Sequence, residues 1–360
     1  MKTPTYIAQT QPGFEAIAAQ EIKARLKGAS VRGTRTVGDK NGMVLFSYAG
    51  EVHELLALRT VEDVFVLVTS LRDLPPTFGG LREIRSAMET VALDMPVTLA
   101  RRVQPGRGGR GKLRFRVIAR QIGRTSYRRV DAQQAVEKAI LARTDRRWQL
   151  VEDDALEFWL TLLNDEVLVA LRLSDEQMRH REHEKGEHIP ASLRPAAAAA
   201  LVWLTQPRPN DVFLDPMCGA GTLLIERAHA GRYKLLVGGD ISEEAVAVTR
   251  KNIGPRHKPI EIHDWDARRL PLDDGAVTAC AVNLPFGRQI SSHEENRGLY
   301  PAFLGEIERV LRPQARMVAL TGDTRTFDGA LRRASGFRRL ETYPVQVLGQ
   351  RALVYVLERV

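Results

Sequence analysis

The chain has 360 residues, with 53 Lys and Arg against 44 Asp and Glu and a formal net charge of +9. A hydrophobic content of 44% with 27% charged residues is that of a globular protein of two or three domains, which excludes a disordered chain. The longest apolar run, Ala196 to Leu204, is about half of what a bilayer span needs, the N-terminal stretch has no secretory h-region, and two cysteines (Cys218 and Cys280) are too few for a disulfide scaffold or a four-cysteine metal site. The expectation is a soluble, cytoplasmic protein with no membrane association and no metal.

In chain order, Tyr6 to Thr10 reads as a strand, and Gly13 leads into an amphipathic helix over Phe14 to Lys27 with Phe14, Ile17, Ala18, Ile22 and Leu26 near helical spacing. Met43 to Tyr48 reads as a strand after the Asn41-Gly42 turn signal, which completes a small α+β unit. A second α+β unit follows from near residue 60 to 172. Val64 to Thr69 and Val91 to Leu99 are β-rich, and Pro105 to Gly109 is a glycine-rich loop. Leu113 to Ala119 alternates apolar residues with arginines, a strand with one apolar and one basic face. Asp131 to Thr144 reads as a helix, and Leu156 to Leu163 and Glu166 to Leu173 as strands.

This second unit holds the charge. From Arg101 to Arg129 the sequence has eleven basic residues and no acid, so the other 331 residues carry 42 basic and 44 acidic side chains, a net of −2. The eleven are Arg101, Arg102, Arg107, Arg110, Lys112, Arg114, Arg116, Arg120, Arg124, Arg128 and Arg129. Positive charge concentrated in this way is a footprint for a polyanion, RNA or DNA. Phe115 and Tyr127, interleaved with the arginines, are of a type that stacks on unpaired bases, although the alternation places Phe115 in the core.

Asp175 to His188 is dense in charge and contains His180, His183 and His188. Their spacing is not that of a zinc helix and no cysteine accompanies them, so the segment reads as a solvated connector. From Pro195 strands and helices alternate, the pattern of a doubly wound parallel sheet. The strands are Val212 to Asp215, Lys234 to Asp240, Ile260 to His263, Val277 to Asn283 and Met317 to Thr321, with a helix over Leu299 to Leu311. Gly336 to Val347 and Ala352 to Leu357 form a closing antiparallel hairpin.

Chemistry concentrates at the carboxyl ends of these strands. In VFLDPMCGAGTLLIERA, a strand ends at Asp215 and a turn with Gly219 and Gly221 opens a helix, where backbone can approach a ligand closely. Leu224 stands where a dinucleotide fingerprint has its third glycine, and no Lys follows Gly221, so neither a nicotinamide site nor a phosphate loop fits. Asp240, nineteen residues past Gly221, ends the next strand, placed to accept hydrogen bonds from ribose hydroxyls; Asp266 follows the third, where an acid meets an adenine amino group. Neither cysteine has the setting of a covalent nucleophile, and both read as packing residues.

The fourth strand ends in Asn283-Leu284-Pro285-Phe286-Gly287. Here the chain resembles class I S-adenosylmethionine-dependent methyltransferases that act on exocyclic or amide nitrogens, whose motif is Asn/Asp/Ser-Pro-Pro-Tyr/Phe; Leu284 stands in place of the first Pro. The amine of such a substrate has its lone pair delocalised. Two carbonyl acceptors, Asn283 and the Leu284 backbone, would favour a more pyramidal nitrogen, and the Phe286 ring would stack on the base. Over the whole chain, FRVIARQIGRTSYRRVDAQQAVEKAI, HIPASLRPAAAAALVWL and NLPFGRQ with LYPAFLGEIERVLRPQARMVALTGD are similar to the THUMP-containing tRNA guanine-N2 methyltransferases.

That resemblance implies a Rossmann-like class I methyltransferase sheet, an α/β fold, preceded by an α+β ferredoxin-like/THUMP region. The implied domains are a ferredoxin-like one over 1–57, a THUMP RNA-binding one over 58–173, a linker over 174–194 and the methyltransferase domain over 195–360. Implied catalytic residues are Asn283, Leu284, Pro285 and Phe286. S-adenosylmethionine would contact Ser192, Leu193, Asp215, Cys218, Gly219, Ala220, Gly221, Thr222, Asp240, Ile241, Asp266, Ala267 and Asn283, and the eleven basic residues would bind RNA. The implied product is N2-methylguanosine, in some members at nucleotide 6 of the tRNA acceptor stem, made by a monomer. Adenine-N6 methylation, guanine-N2 methylation of rRNA and a non-catalytic RNA-binding role remain as alternatives.

Overall fold

The computed structural model describes residues 3–38, 40–109, 111–181, 186–187, 189, 192–287 and 292–360. Arg110, His183, His188 and the Arg288-Gln289 pair of the motif segment lie outside these described residues. The chain divides into two compact units, Met1–Thr10 with Ala19–Met178, and Gln11–Ala18 with Arg179–Val360.

In the first unit β1 (Thr5–Thr10), β2 (Ser30–Val37), β3 (Asn41–Ser47), β4 (Asp63–Leu71), β5 (Leu113–Ile122), β6 (Trp148–Leu150), β7 (Leu156–Leu163) and β8 (Glu166–Arg172) form one mixed sheet of order β2-β3-β1-β4-β8-β7-β5-β6. The helices are α1 (Glu15–Arg25), α2 (Val52–Leu55), α3 (Phe78–Thr90), α4 (Asp94–Val103) and α5 (Arg129–Leu141). β1 pairs with both β3 and β4, so strands from the 1–57 and 58–173 segments share this sheet. Val91 to Leu99, read as β-rich from sequence, instead leads into and builds α4. Leu93, Val97 and Ala100 are buried at helical spacing, Asp94 sits in the first turn where the helix dipole favours an acid, and Pro96 is tolerated there. β2 was absent from the sequence reading because its residues are largely exposed and polar, with Val37 the buried exception.

β5 has the expected alternation, with Leu113, Phe115, Val117 and Ala119 buried and Phe115 packed edge-on against Trp148 and Phe158. Tyr127 is buried as well, so neither aromatic presents a face for stacking on a base. Several arginines of the basic run have internal partners. Arg107 and Arg116 each lie 2.6 Å from Glu157, which is buried and also 3.1 Å from Arg172, itself 2.6 Å from Asp63. Burial pushes the Glu157 carboxyl up, but Arg172, Arg116 and Arg107 outweigh it and hold it below the usual range. Arg120 stacks 3.9 Å over the Trp159 ring, Arg114 pairs with Asp154, Arg128 with Asp131, and Arg101 and Arg129 donate to the carbonyls of Gly109 and Ala119. The side chains of Arg102, Lys112 and Arg124 make no hydrogen bond or ion pair among the described residues.

α6 (Glu176–His180) spans the boundary of the two units, and in the second α7 (Pro195–Leu204) leads to β9 (Val212–Asp215), β10 (Leu235–Asp240), β11 (Ile260–Asp264), β12 (Val277–Asn283), β13 (Leu311–Thr321), β14 (Phe337–Val347) and β15 (Gln350–Arg359). Their order is β11-β10-β9-β12-β13-β15-β14; the first five are parallel, and β15 runs antiparallel to both neighbours. The connecting helices are α8 (Thr222–His229), α9 (Glu243–Ile253), α10 (His293–Val310) and α11 (Thr324–Leu331). This is the doubly wound sheet read from the sequence. Successive strand residues enter opposite cores: Phe213, Ala279 and Ala281 join Leu201 and Leu224, whereas Leu214 and Cys280 join Phe303 and Ile307. α10 begins six residues before its sequence-predicted start, because Ser292 and Glu295 close a capping box at its N-terminus. Successive strands are added to one side of β9 (β10, β11) and then, from β12, to the other, and this switch between β9 and β12 opens a crevice at the carboxyl ends of the parallel strands. Among the described residues no helix is long and apolar enough to cross a membrane, and no group of His, Cys, Asp and Glu is arranged to hold a metal ion.

Candidate active site

The crevice is a cleft of about 770 Å³, within the range of small-ligand sites. Ser192, Leu193, Asp215, Cys218, Gly219, Ala220, Thr222, Asp240, Ile241, Asp266, Ala267, Asn283, Leu284, Pro285 and Phe286 all line it. Gly221 does not; it caps α8 with φ +83°, a conformation that favours glycine.

The loop after β9 is held from several sides. Cys218 N–H donates to the Gly239 carbonyl (2.9 Å), Trp265 Nε1 to the Pro216 carbonyl (3.0 Å), Thr249 Oγ1 to the Gly219 carbonyl (2.6 Å) and Asn252 Nδ2 to the Ala220 carbonyl (3.0 Å). Gly238 and Gly239 permit this packing, since a Cβ on them would lie 2.5 Å from Leu224 and 2.3 Å from the Trp265 ring. Asp240 joins the same loop by accepting from Gly219 N–H (3.0 Å) and also accepts from Ser242 N–H (3.1 Å). Cys218 and Cys280 are buried packing residues whose thiols are pushed up by burial, unlike nucleophilic cysteines.

Asp215 is buried, and its Oδ1 has no hydrogen-bond partner among the described residues. Burial, opposed by a backbone hydrogen bond from Met217 and reinforced by Asp240, pushes its carboxyl well above the usual range. Asp266 is different. The Arg268 guanidinium grips both its oxygens (2.6 to 3.0 Å) and holds its carboxyl below the usual range.

Asn283 ends β12, and Leu284 N–H continues the ladder to the Leu320 carbonyl (2.9 Å). The chain then leaves the sheet. One residue on, the Pro285 carbonyl accepts from the Tyr300 hydroxyl (2.5 Å) and from Asn296 Nδ2 (3.2 Å). Asn296 also donates to Asp323 (3.0 Å), which pairs with His293 Nδ1 at 2.9 Å, and Tyr300 contacts the Thr321 hydroxyl at 2.9 Å. Burial pushes the Asp323 carboxyl up, but hydrogen bonds from His293, Asn296 and Thr326 outweigh it. Gly322 lies against the Phe286 ring, where an added Cβ would meet ring carbons at 2.7 Å.

The sequence reading missed this supporting network, although Asn296 and Tyr300 stand one helical turn apart just after the motif. It also missed Arg268 and, across the cleft, Leu348 and Gln350 on the turn between β14 and β15. Those two come from the distant hairpin, and no motif marks them.

Residues 181–352 match family UPF0020, described as an RMKL-like methyltransferase domain. This stretch, just under half of the chain, is similar to the methyltransferase domain of that family. The chain is 35% identical over 223 residues to "tRNA (guanine(6)-N(2))-methyltransferase THUMP3" of Homo sapiens, a match over 57% of this chain and 43% of the relative. It thus spans less than half the length of that relative. It is 26% identical over 357 residues, 98% of each chain, to "tRNA (guanine(6)-N2)-methyltransferase" of Thermus thermophilus. The crystal structure of TrmN from Thermus thermophilus superposes with a TM-score of 0.79 at 24% identity, covering 99% of this chain and 100% of that one, which shows the same fold.

The cofactor of such a domain is S-adenosylmethionine, and the cleft fits it. A buried carboxylate oxygen without a partner and two further acids suit a ligand with cationic groups, and the bare Gly219 backbone lets it approach closely. The charge of Asp215 is a cost to the empty fold. Because its folded pKa is raised, it destabilises the native state increasingly as pH rises above the ordinary Asp value of about 3.9. Asp215→Asn removes that effect. In urea titrations without ligand the variant is expected to be more stable than the parent at about pH 7.5, with the gain vanishing toward about pH 4, while affinity for S-adenosylmethionine falls by about tenfold. A variant less stable than the parent near neutrality would contradict this role.

Proposed function

We propose that the chain is a tRNA guanine-N2 methyltransferase forming N2-methylguanosine at guanosine 6 of the acceptor stem. The observation that carries this reading is the sharing of one cleft by Asp215, Asp240 and Asp266 with Asn283-Leu284-Pro285-Phe286. The named activity of the Thermus thermophilus relative, which matches along nearly the whole chain, supports the choice of tRNA and of position 6.

Bound S-adenosylmethionine supplies an electrophilic methyl group on a cationic sulfur. Asp240 and Asp266 bind its ribose and adenine, and Asp215 faces its positive charge. On the other side, the Asn283 side-chain carbonyl and the Leu284 backbone carbonyl accept the two N–H bonds of the guanine amine, freeing its lone pair from the ring. Phe286 stacks on the base and fixes its angle of approach. A guanosine within a stem must be flipped out to reach this pocket. The protein contributes positioning and fixed dipoles. Asn283→Ala should therefore leave the dissociation constant for S-adenosylmethionine within about twofold while lowering single-turnover methyl transfer by about a hundredfold or more. Equal losses in calorimetry and in turnover would overturn this role for Asn283.

In this reading residues 1–57 and 58–173 are the ferredoxin-like and THUMP parts of an RNA-holding region, and the protein works in the cytoplasm, where its substrate is. Arg102, Lys112 and Arg124, whose side chains have no partner among the described residues, are the first candidates for phosphate contacts. Arg107 and Arg116 are first of all structural, through Glu157. Replacing Arg102, Lys112 and Arg124 together by Ala should reduce the slope of log affinity for tRNA against log salt by about two to three, with an unchanged unfolding midpoint. An unchanged slope would place the phosphate contacts elsewhere.

A further inference from the structure

The hairpin of β14 and β15 reaches beyond the sheet at the cleft. Thr321, the last residue of β13, is level with Leu353, while Val347 pairs with Gln350 at the turn. The tip therefore stands three residues, about 10 Å, past the carboxyl edge of β13. Its two turn residues, Leu348 and Gly349, have φ +52° and +73°. A glycine adopts this conformation readily, but a leucine does so at a cost, and two-residue hairpins favour Asn or Asp at that first position. Leu348 is nonetheless 46% exposed and lines the cleft together with Gln350, Leu284, Pro285 and Phe286. Strain and an exposed apolar side chain kept at the mouth of a site are the marks of a shaped binding wall.

Resting on the proposal of a guanine-N2 substrate, we infer that Gln350 reads the rest of the guanine Watson–Crick edge, with Leu348 covering the base. Once Asn283 and Leu284 take the amine, the neighbouring groups of the ring are the N1–H donor and the O6 acceptor. Their complement is an acceptor and a donor side by side, which is a primary amide. Gln350 and Asn283 are the two amides among the described lining residues, and the side-chain amide of Gln350 makes no hydrogen bond with other described residues. Glu295, which also lines the cleft, has no donor and is held by the Ser292 N–H at 2.6 Å.

The test uses the full chain and tRNA assembled with either guanosine or 2-aminopurine riboside at the target position. 2-Aminopurine keeps the reacting amine but lacks O6 and the N1–H. Parent and Gln350→Met are compared by kcat/KM for methyl incorporation on both substrates, with thermal unfolding and S-adenosylmethionine affinity as folding controls. The ratio for guanosine over 2-aminopurine is expected to be about tenfold higher in the parent than in the variant, through loss on guanosine alone. Leu348→Ala, which keeps the amide, should leave that ratio within about twofold while raising KM for both substrates alike. If the parent methylates guanosine at N2 but Gln350→Met leaves the ratio unchanged, the role of Gln350 is overturned and the guanine-N2 reading stands. If the parent transfers no methyl group to guanosine N2, the guanine-N2 reading itself fails.

Discussion

A strand that leaves its sheet exposes backbone groups that need partners, and in this protein the carbonyl of Pro285 is where that demand falls. Tyr300 and Asn296 meet it from α10, and Asp323, His293 and Thr321 in turn fix those two side chains. The chain just past β12 is thereby held in one shape. Asn283 and Phe286, on either side of the anchored residues, can then present a carbonyl and a ring at a set separation. Gly322 completes the arrangement from β13's end by leaving room for the ring. A loop pinned in this way needs little reorganisation when a planar base arrives, which is the condition for fixed dipoles to act on a delocalised amine.

The other half of the cleft is built on the same principle with opposite charge logic. The loop after β9 is tied by hydrogen bonds with β10, with α9 and with Trp265 just past β11, so Asp240 can hold Gly219 N–H and still offer carboxylate lone pairs to the cleft. Asp215 is left with an unsatisfied buried oxygen, a cost that a cationic ligand relieves. The unit from Pro195 onward is close to neutral, with 22 basic and 19 acidic residues, and its acids gather at strand ends. The positive excess lies in the other unit. There Glu157 neutralises part of it internally, and Arg102, Lys112 and Arg124 are exposed.

The parts of the fold that follow local rules were legible in the sequence. β9 and β12 have the predicted bounds, since apolar runs ending in Asp215 and Asn283 mark both the strand and the site. α4 was misread because a short segment rich in Val, Leu and Thr has strand composition, and its helical stripe shows only with Leu93 and Ala100 included. The role of Arg107 and Arg116 was hidden because their partner, Glu157, is far along the chain and lies outside the acid-free stretch. Leu348 and Gln350 were invisible for the same reason, since only the register of β15 against β13 brings the hairpin tip over the cleft. Distant pairing, more than local propensity, marks the boundary of what could be read.

The reaction proposed for this cleft is transfer of a methyl group to the exocyclic amine of a guanine in tRNA. Its most direct test is to incubate the full chain with methyl-labelled S-adenosylmethionine and unmodified tRNA transcripts, then to map the labelled nucleoside. The account predicts label in N2-methylguanosine at nucleotide 6 of the acceptor stem. Label in N6-methyladenosine, or RNA binding with no label incorporated, would contradict it.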